Sequence, residues 1–183
     1  MEKKLDPQHL DMVTFARDAC SLDGQGVLAD WPRLAQELFG SDLPAGPVVW
    51  QLQGRSVPQS GSADQIWLDL KAWVNLPMQC QRCLTPVLET VQAERRFRFA
   101  ADEATAMALD DEAEEDILVI SRDFDALALI EDELILSLPL VPLHEECPEA
   151  MPMSVADPEF EDAAQRPNPF GVLAGLKTDK STE

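Results

Sequence analysis

The chain has 183 residues, of which 45% are hydrophobic and 26% are charged, so it is long and apolar enough to fold around a core. Its formal net charge of −20 excludes a general coat for nucleic acid, because the protein's overall field repels a polyanion. No apolar run has the length of a signal peptide or a membrane-spanning helix, and we expect a soluble, cytoplasmic protein without membrane contact.

The first third of the chain predicts a helix followed by a strand. Residues 29–39 favour the helix, since Asp30 can cap its start, Pro32 fits its first turn and Gly40 can end it. From residue 48 to residue 57 the hydrophobic period changes from the helical value to two, which is typical of a half-buried strand.

Two long strands are predicted next. Every even position of residues 66–78 is apolar, and the polar residues Asp69, Lys71 and Asn75 lie between them, so one face of this strand is expected to be buried. Residues 87–99 show the same alternation with a basic outward face, which indicates a return strand. Residues 80–86 then form the connection, and strands of this length indicate a twisted antiparallel sheet.

The sequence after these strands predicts an acidic loop or frayed helix, a short strand and a capped helix. Residues 101–116 are rich in Ala, Asp and Glu without a buried face, which indicates an exposed acidic loop or frayed helix. Residues 117–120 fit a strand, and Asp123 or Asp125 can cap an apolar helix that two following prolines end. We therefore predict an α+β domain, a mainly antiparallel twisted sheet with a few packed helices.

Composition divides the chain into three parts. Residues 1–144 are expected to form the α+β domain, residues 145–165 an acidic Pro-rich linker, and residues 166–183 a docking segment with a short helix. A helix of about two turns is not stable alone in water, so this segment is expected to dock on its own domain or on a partner. Its expected contact residues are Asn168, Phe170, Leu173 and Leu176.

The sharpest motif is a pair of cysteines, Cys80 and Cys83, at C-x-x-C spacing. His144 and Cys147 stand at H-x-x-C spacing further along, and the four residues would make a closed zinc site. The separation between the two pairs exceeds that of ordinary zinc fingers. A thiol pair without metal and a redox-active pair therefore remain alternatives.

Charge is distributed unevenly along the chain. Residues 99–165 contain one basic and twenty acidic side chains, whereas residues 71–98 contain five basic and two acidic ones. These segments are either ordinary solvated faces or surfaces for a basic partner and for RNA phosphate, respectively. The candidate RNA-binding residues are Lys71, Arg82, Arg95, Arg96 and Arg98.

Two tryptophans, Trp67 and Trp73, lie at odd positions of the first long strand with Lys71. They form either an exposed platform for base stacking or a surface covered by another element of the fold.

The sequence lacks the usual signatures of an enzyme. It has no phosphate-binding loop, dinucleotide fingerprint, nucleophile elbow or H-E-x-x-H motif, and only His9 and His144 are available for proton transfer. Glu131, Asp132 and Glu133 would fan around a helix rather than converge on one metal ion, so we interpret them as a solvated or partner-facing surface. We predict that the protein is not an enzyme.

Three blocks together resemble a known family. They are C-Q-R-C at residues 80–83, E-D-E-L-I-L-S-L-P-L-V-P-L-H at residues 131–144 and P-N-P-F-G-V-L-A-G-L-K at residues 167–177. Residues 11–27 add a fourth similarity, so the resemblance covers most of the chain. The chain is similar to the YceD-type large ribosomal RNA subunit accumulation proteins of bacteria and plastids. This resemblance implies a non-enzymatic role in the synthesis, processing or stability of large-subunit (23S) ribosomal RNA.

Charge suggests how such a role would be carried out. A net charge of −20 opposes phosphate-driven RNA binding but favours contact with the precursor large subunit through a basic ribosomal protein, or with a basic assembly protein. We expect an acidic adaptor in ribosome biogenesis, with direct RNA binding through the basic residues as the alternative.

Overall fold

The structure is a computed structural model that describes residues 5–40, 43–110, 112–148 and 170. Contacts within the chain divide it into residues 1–146 and residues 147–183. Most of the predicted linker lies outside the described residues, as do Asn168, Leu173 and Leu176. Phe170 is described, lies in a turn and is 69% exposed.

In the described part of the chain, five strands form a single sheet in chain order. The first four are antiparallel to their neighbours, and the fifth runs parallel to the fourth. Together with the helices this arrangement confirms the predicted α+β class. The strands are β1 (Ser21–Gly26), β2 (Val48–Val57), β3 (Gln65–Gln79), β4 (Pro86–Ala100) and β5 (Asp116–Val119).

The alternation read from the sequence sets the buried face of the sheet. Leu68, Leu70 and Leu76 of β3 are fully buried, whereas Lys71 and Trp73 between them are exposed. Strands β3 and β4 pair without interruption from Gln79 and Pro86 to Ile66 and Phe99. The two long strands and their connection were therefore predicted correctly, and they form the centre of the fold.

Among the described residues, three α-helices accompany the sheet: α1 (Met12–Arg17), α2 (Glu103–Asp110) and α3 (Ala126–Leu136). The carboxylate of Asp11 caps α1 by accepting from the N–H groups of Val13 and Thr14, and that of Asp125 caps α3 by accepting from the N–H of Ala128. Phe15 of α1 and Ile130 of α3 belong to the same core cluster as the buried side chains of the sheet. In the described part of the chain, no helix is long and apolar enough to cross a membrane.

The helix predicted at residues 29–39 is wrong. Two short 3-10 turns, Leu28–Asp30 and Leu34–Glu37, occupy this region instead. The backbone N–H groups of Arg33 and Leu34 donate to a carboxylate oxygen of Glu131, at 2.8 and 3.1 Å, rather than to carbonyls of a preceding helical turn. A side chain distant in sequence thus replaces the local hydrogen bonds that a continuous α-helix requires.

Strand β1 was not predicted, because its sequence, S-L-D-G-Q-G, has low strand propensity. Gly24 faces Trp50 of β2 in this pairing, and a Cβ atom at Gly24 would lie 2.4 Å from the indole ring. The glycine therefore provides the space that the tryptophan side chain occupies.

The acidic triplet of α3 is mostly buried, which corrects its interpretation as a solvated or partner-facing surface. Glu131 and Glu133 are each only 6% exposed. Glu131 accepts from the Arg33 side chain at 2.9 Å, and Arg95 donates to Glu133 at 3.1 Å. These carboxylates therefore attach α3 to the 3-10 turns and to β4.

We predict that Glu131→Ala lowers the free energy of unfolding by about 3 kcal/mol, because it leaves the donors of Arg33 and Leu34 without their buried acceptor. Asp132→Ala is the matched control, since Asp132 is half-exposed and its ion pair with Arg33 is worth at most about 1 kcal/mol. Urea denaturation of both variants measures the difference. Equal losses in the two variants would show that the buried carboxylate does not hold the turns.

Candidate metal centre

The two cysteines of the C-x-x-C motif lie in the tight turn that joins β3 to β4. The Cys80 N–H donates to the carbonyl of Thr85 at 3.0 Å, and the Cys80 carbonyl accepts from the Leu84 N–H at 2.8 Å. Leu84 has a φ of +62°, a left-handed conformation that residues other than glycine seldom adopt. The turn thereby reverses the chain within a few residues of Cys83.

His144 reaches this turn because the segment after α3 is bound to it. The Gln81 N–H donates to the carbonyl of Pro142 at 2.9 Å, and the Arg82 guanidinium donates to the carbonyl of His144 at 3.2 Å. The His144 N–H in turn points at the Cys80 sulfur, 3.5 Å away. Backbone contacts thus bring the histidine to the cysteines across more than sixty residues of sequence.

The imidazole of His144 is oriented by both of its nitrogen atoms. Its Nε2 lies 3.1 Å from the carbonyl oxygen of Pro86, and its Nδ1 lies 3.3 Å from the Cys83 sulfur. A carbonyl only accepts, so Nε2 carries the proton and, in the neutral ring, the lone pair of Nδ1 faces the thiols. Ligand histidines in metal sites are commonly held in this way, by a carbonyl on the distal nitrogen.

The Pro86 carbonyl was missed by the sequence analysis. A backbone carbonyl carries no side-chain signature, and only the pairing of β3 with β4 places this one beside His144.

The buried Cys80 thiol is an unusually strong acid. Burial opposes its ionisation, but the N–H groups of Cys83, His144 and Arg82 and the His144 side chain lower the pKa of Cys80 to about 5. The hydrogen bond to Cys80 raises the pKa of His144 in return. Cys80 is thus in its thiolate form at neutral pH, and the thiolate is the form that binds metals.

The structure brings all four predicted ligands together. The ligand atoms of Cys80, Cys83, His144 and Cys147 lie within 4.8 Å of one another. A tetrahedral zinc ion, with Zn–S of about 2.3 Å and Zn–N of about 2.0 Å, separates a sulfur and a nitrogen ligand by about 3.5 Å. The 3.3 Å between Cys83 and His144 is close to that value, so this Cys3His group could bind a metal ion.

The five basic residues of the RNA-binding alternative all have partners inside the protein. The carboxylate pairs are Lys71 with Glu94 (2.6 Å), Arg95 with Glu133 (3.1 Å), Arg96 with Asp69 (3.1 Å) and Arg98 with Glu115 (3.7 Å). Arg82 donates instead to a backbone carbonyl. Most of these basic side chains are also half-exposed. An RNA phosphate at this surface would therefore compete with carboxylates that are already in place.

The two tryptophans lie on the outward face of β3, as their odd positions predict. Trp73 is 38% exposed, so the interpretation that another element covers it is wrong. Trp67 is half-buried, and its indole N–H donates to the Gln65 side chain at 3.3 Å.

Comparison with known proteins identifies the family. Residues 68–177, more than half of the chain, match the family model described as "Large ribosomal RNA subunit accumulation protein YceD". A protein of that name from Haemophilus influenzae is 36% identical over 109 residues, which cover 58% of this chain and 63% of the relative. No solved structure matches the chain. The matched region contains the Cys and His residues of the site, most of β3 and all of β4, and the chain belongs to the YceD family of large ribosomal RNA subunit accumulation proteins.

Proposed function

We propose that this protein is a non-enzymatic factor in ribosome biogenesis that supports the accumulation of large-subunit (23S) ribosomal RNA. The name of the Haemophilus influenzae relative supports a role in this process, and the matched region spans 63% of that relative's length. The fully buried position of Cys80 supports a structural role for the thiolate, because a catalytic nucleophile must be accessible to its substrate. We propose that the protein carries out this role in the cytoplasm.

The mechanism we propose is that of an acidic adaptor for a basic ribosomal or assembly protein. The observation that carries it is the internal pairing of the basic residues on β3 and β4, which leaves the acidic excess as the dominant surface charge. Exposed carboxylates include those of Glu112, Glu114, Asp116, Glu145 and Glu146. Such a field speeds and orients the approach of a cationic protein, whereas it opposes the approach of free RNA.

We further propose that Cys80, Cys83, His144 and Cys147 bind one structural zinc ion. The donor set favours this metal, because three sulfurs and one imidazole nitrogen suit its tetrahedral coordination. All four residues are buried or half-buried, as expected for a closed site rather than a catalytic one.

Elemental analysis tests the zinc proposal. Protein purified without chelator should contain one zinc per chain, and Cys83→Ser should lose most of it, because a hydroxyl is a poor zinc ligand. Cys20→Ser is the matched control, since Cys20 lies outside the group and should leave the zinc content unchanged. Metal-free wild-type protein would refute the proposal and leave Cys80 and Cys83 as structural thiols.

Co-purification tests the adaptor proposal. Precursor large-subunit particles or their basic proteins should bind the full chain, and binding should weaken as salt is raised, because exposed charges are screened. Ribonuclease should leave part of this binding intact. Loss of all binding after ribonuclease, together with tight binding of naked ribosomal RNA at physiological salt, would replace the adaptor by direct RNA contact.

We also propose the domain organisation derived from the sequence, with residues 166–183 as a docking segment after an acidic linker. If this segment docks on a partner, Phe170→Ala with Leu173→Ala should leave the melting temperature nearly unchanged while ribosome-related binding falls, because truncated anchors cost affinity rather than core burial. Calorimetry and co-purification measure the two effects. A large loss of thermal stability would assign the segment to the fold instead.

A further inference from the structure

The outer edge of β4 is uncovered over most of its length. One side of β4 pairs with β3 along nearly the whole strand, but β5 pairs with the other side only at residues 97–100. Among residues 5–40, 43–110 and 112–148, no other strand pairs with this side of β4. We call residues 88–94 on this side the open edge.

The hydrogen-bond register identifies which backbone groups face the open edge. The Cys80 N–H donates to the Thr85 carbonyl across the hairpin, so odd-numbered residues of β4 direct their backbone groups toward β3. The Pro86 carbonyl contacts His144, and the Ala100 carbonyl accepts from Ile120, so even-numbered residues face outward. Because the register has no interruption, outward N–H and C=O groups belong to Leu88, Thr90, Gln92 and Glu94.

An acidic groove lies at the start of this edge. Leu88 and Glu89 of β4 line it together with the segment 143–146, and no lysine or arginine lines it. Leu88 is 49% exposed and Leu143 is 41% exposed, so apolar contact area is available. Glu89, Glu145 and Glu146 line the same groove.

We propose that the open edge binds an extended, basic segment of a partner protein as an additional β-strand. The partner's backbone would satisfy the outward N–H and C=O groups, as in other complexes formed by strand addition. An apolar partner residue would contact Leu88 and Leu143, and neighbouring lysines or arginines would pair with Glu89, Glu145 and Glu146. This inference rests on the proposed function: it states that the basic partner of the acidic adaptor binds at the open edge of β4.

Charge and hydrogen-bonding pattern together select this occupant. Alternating donors and acceptors along a strand match another polypeptide backbone, whereas a nucleic acid presents phosphates, which the groove carboxylates repel. A second copy of this chain is also disfavoured, because it would bring the same carboxylates to the edge.

Amide hydrogen exchange by NMR on the full chain tests the edge directly. In the free protein the amides of Leu88, Thr90, Gln92 and Glu94 should exchange rapidly, while those of Glu89, Val91 and Ala93 stay protected in the ladder. A capped peptide of alternating lysine and valine should slow the even-numbered amides at least about tenfold. A capped peptide of alternating glutamate and valine should have no effect.

Two results would overturn the proposal at this stage. One is protection of the even-numbered amides in the free protein, which would show that the chain or a second copy already covers the edge. The other is peptide binding that perturbs only the outward face of the sheet around Trp73.

Substitutions at Gln92 separate backbone pairing from side-chain contact. Gln92→Pro removes an outward N–H without taking a hydrogen bond from the β3–β4 ladder, and Gln92→Ala is the matched control that keeps the N–H. The proline variant should bind the lysine–valine peptide at least about tenfold more weakly than the alanine variant. The melting temperature, compared with that of the wild type, establishes that each variant is folded.

Glu145→Lys with Glu146→Lys tests the groove independently, in case the proline variant does not fold. This double variant should also bind the lysine–valine peptide at least about tenfold more weakly, because two attractive charges become repulsive. Wild-type affinity in this folded double variant would refute the proposal, as would equal affinity of folded Gln92→Pro and Gln92→Ala.

Co-purification with the same variants keeps this inference distinct from the adaptor proposal. If wild-type protein and folded Gln92→Pro capture the same basic large-subunit proteins equally, the adaptor stands and the open edge is not its contact. If wild-type protein captures none after ribonuclease treatment, the adaptor itself fails, whatever the peptide does.

Discussion

The hydrogen bonds that hold the segment after α3 to the β3–β4 turn determine where the candidate metal centre and the adjacent acidic groove lie. Gln81 binds Pro142, Arg82 binds the His144 carbonyl, and the His144 ring bridges Cys83 and Pro86. These contacts close a loop of more than sixty residues, and closing such a loop costs conformational entropy. A metal ion held by the same residues would offset that cost, since its binding free energy contributes to folding.

Many charges of this acidic chain stabilise the fold. Glu131 and Glu133 are buried against Arg33 and Arg95, so part of the acidic segment joins α3 to its neighbours. On β3, Asp69 lies between two arginines, and although burial opposes it, their hydrogen bonds hold the pKa of this carboxyl below its usual range. The acidity that remains for a partner is therefore concentrated in the exposed carboxylates of the second half of the chain.

Sequence periodicity predicted the parts of the fold that depend on local pattern. The even apolar positions of residues 66–78 and their return strand fixed the central hairpin, and the C-x-x-C and H-x-x-C spacings identified the four clustered side chains. The errors came from distant contacts. Glu131 replaces helical hydrogen bonds near residue 33, and Trp50 requires the glycine of a strand with low propensity. The open edge could not be predicted from the sequence either. Which backbone groups of β4 face outward depends on the register of strand pairing rather than on the types of side chain.

The candidate metal centre and the start of the open edge are lined by the same segment of the chain, residues 143–146, so the two proposals concern adjacent sites. His144 is a candidate ligand, and its neighbours Leu143, Glu145 and Glu146 line the groove beside Leu88. Ligation of His144 would add to the hydrogen bonds that already hold these neighbours against the start of β4. A rigid groove loses less conformational entropy when a partner binds than a mobile one does. The zinc proposed here would thus act on partner binding by preorganising the groove, without contacting the partner itself.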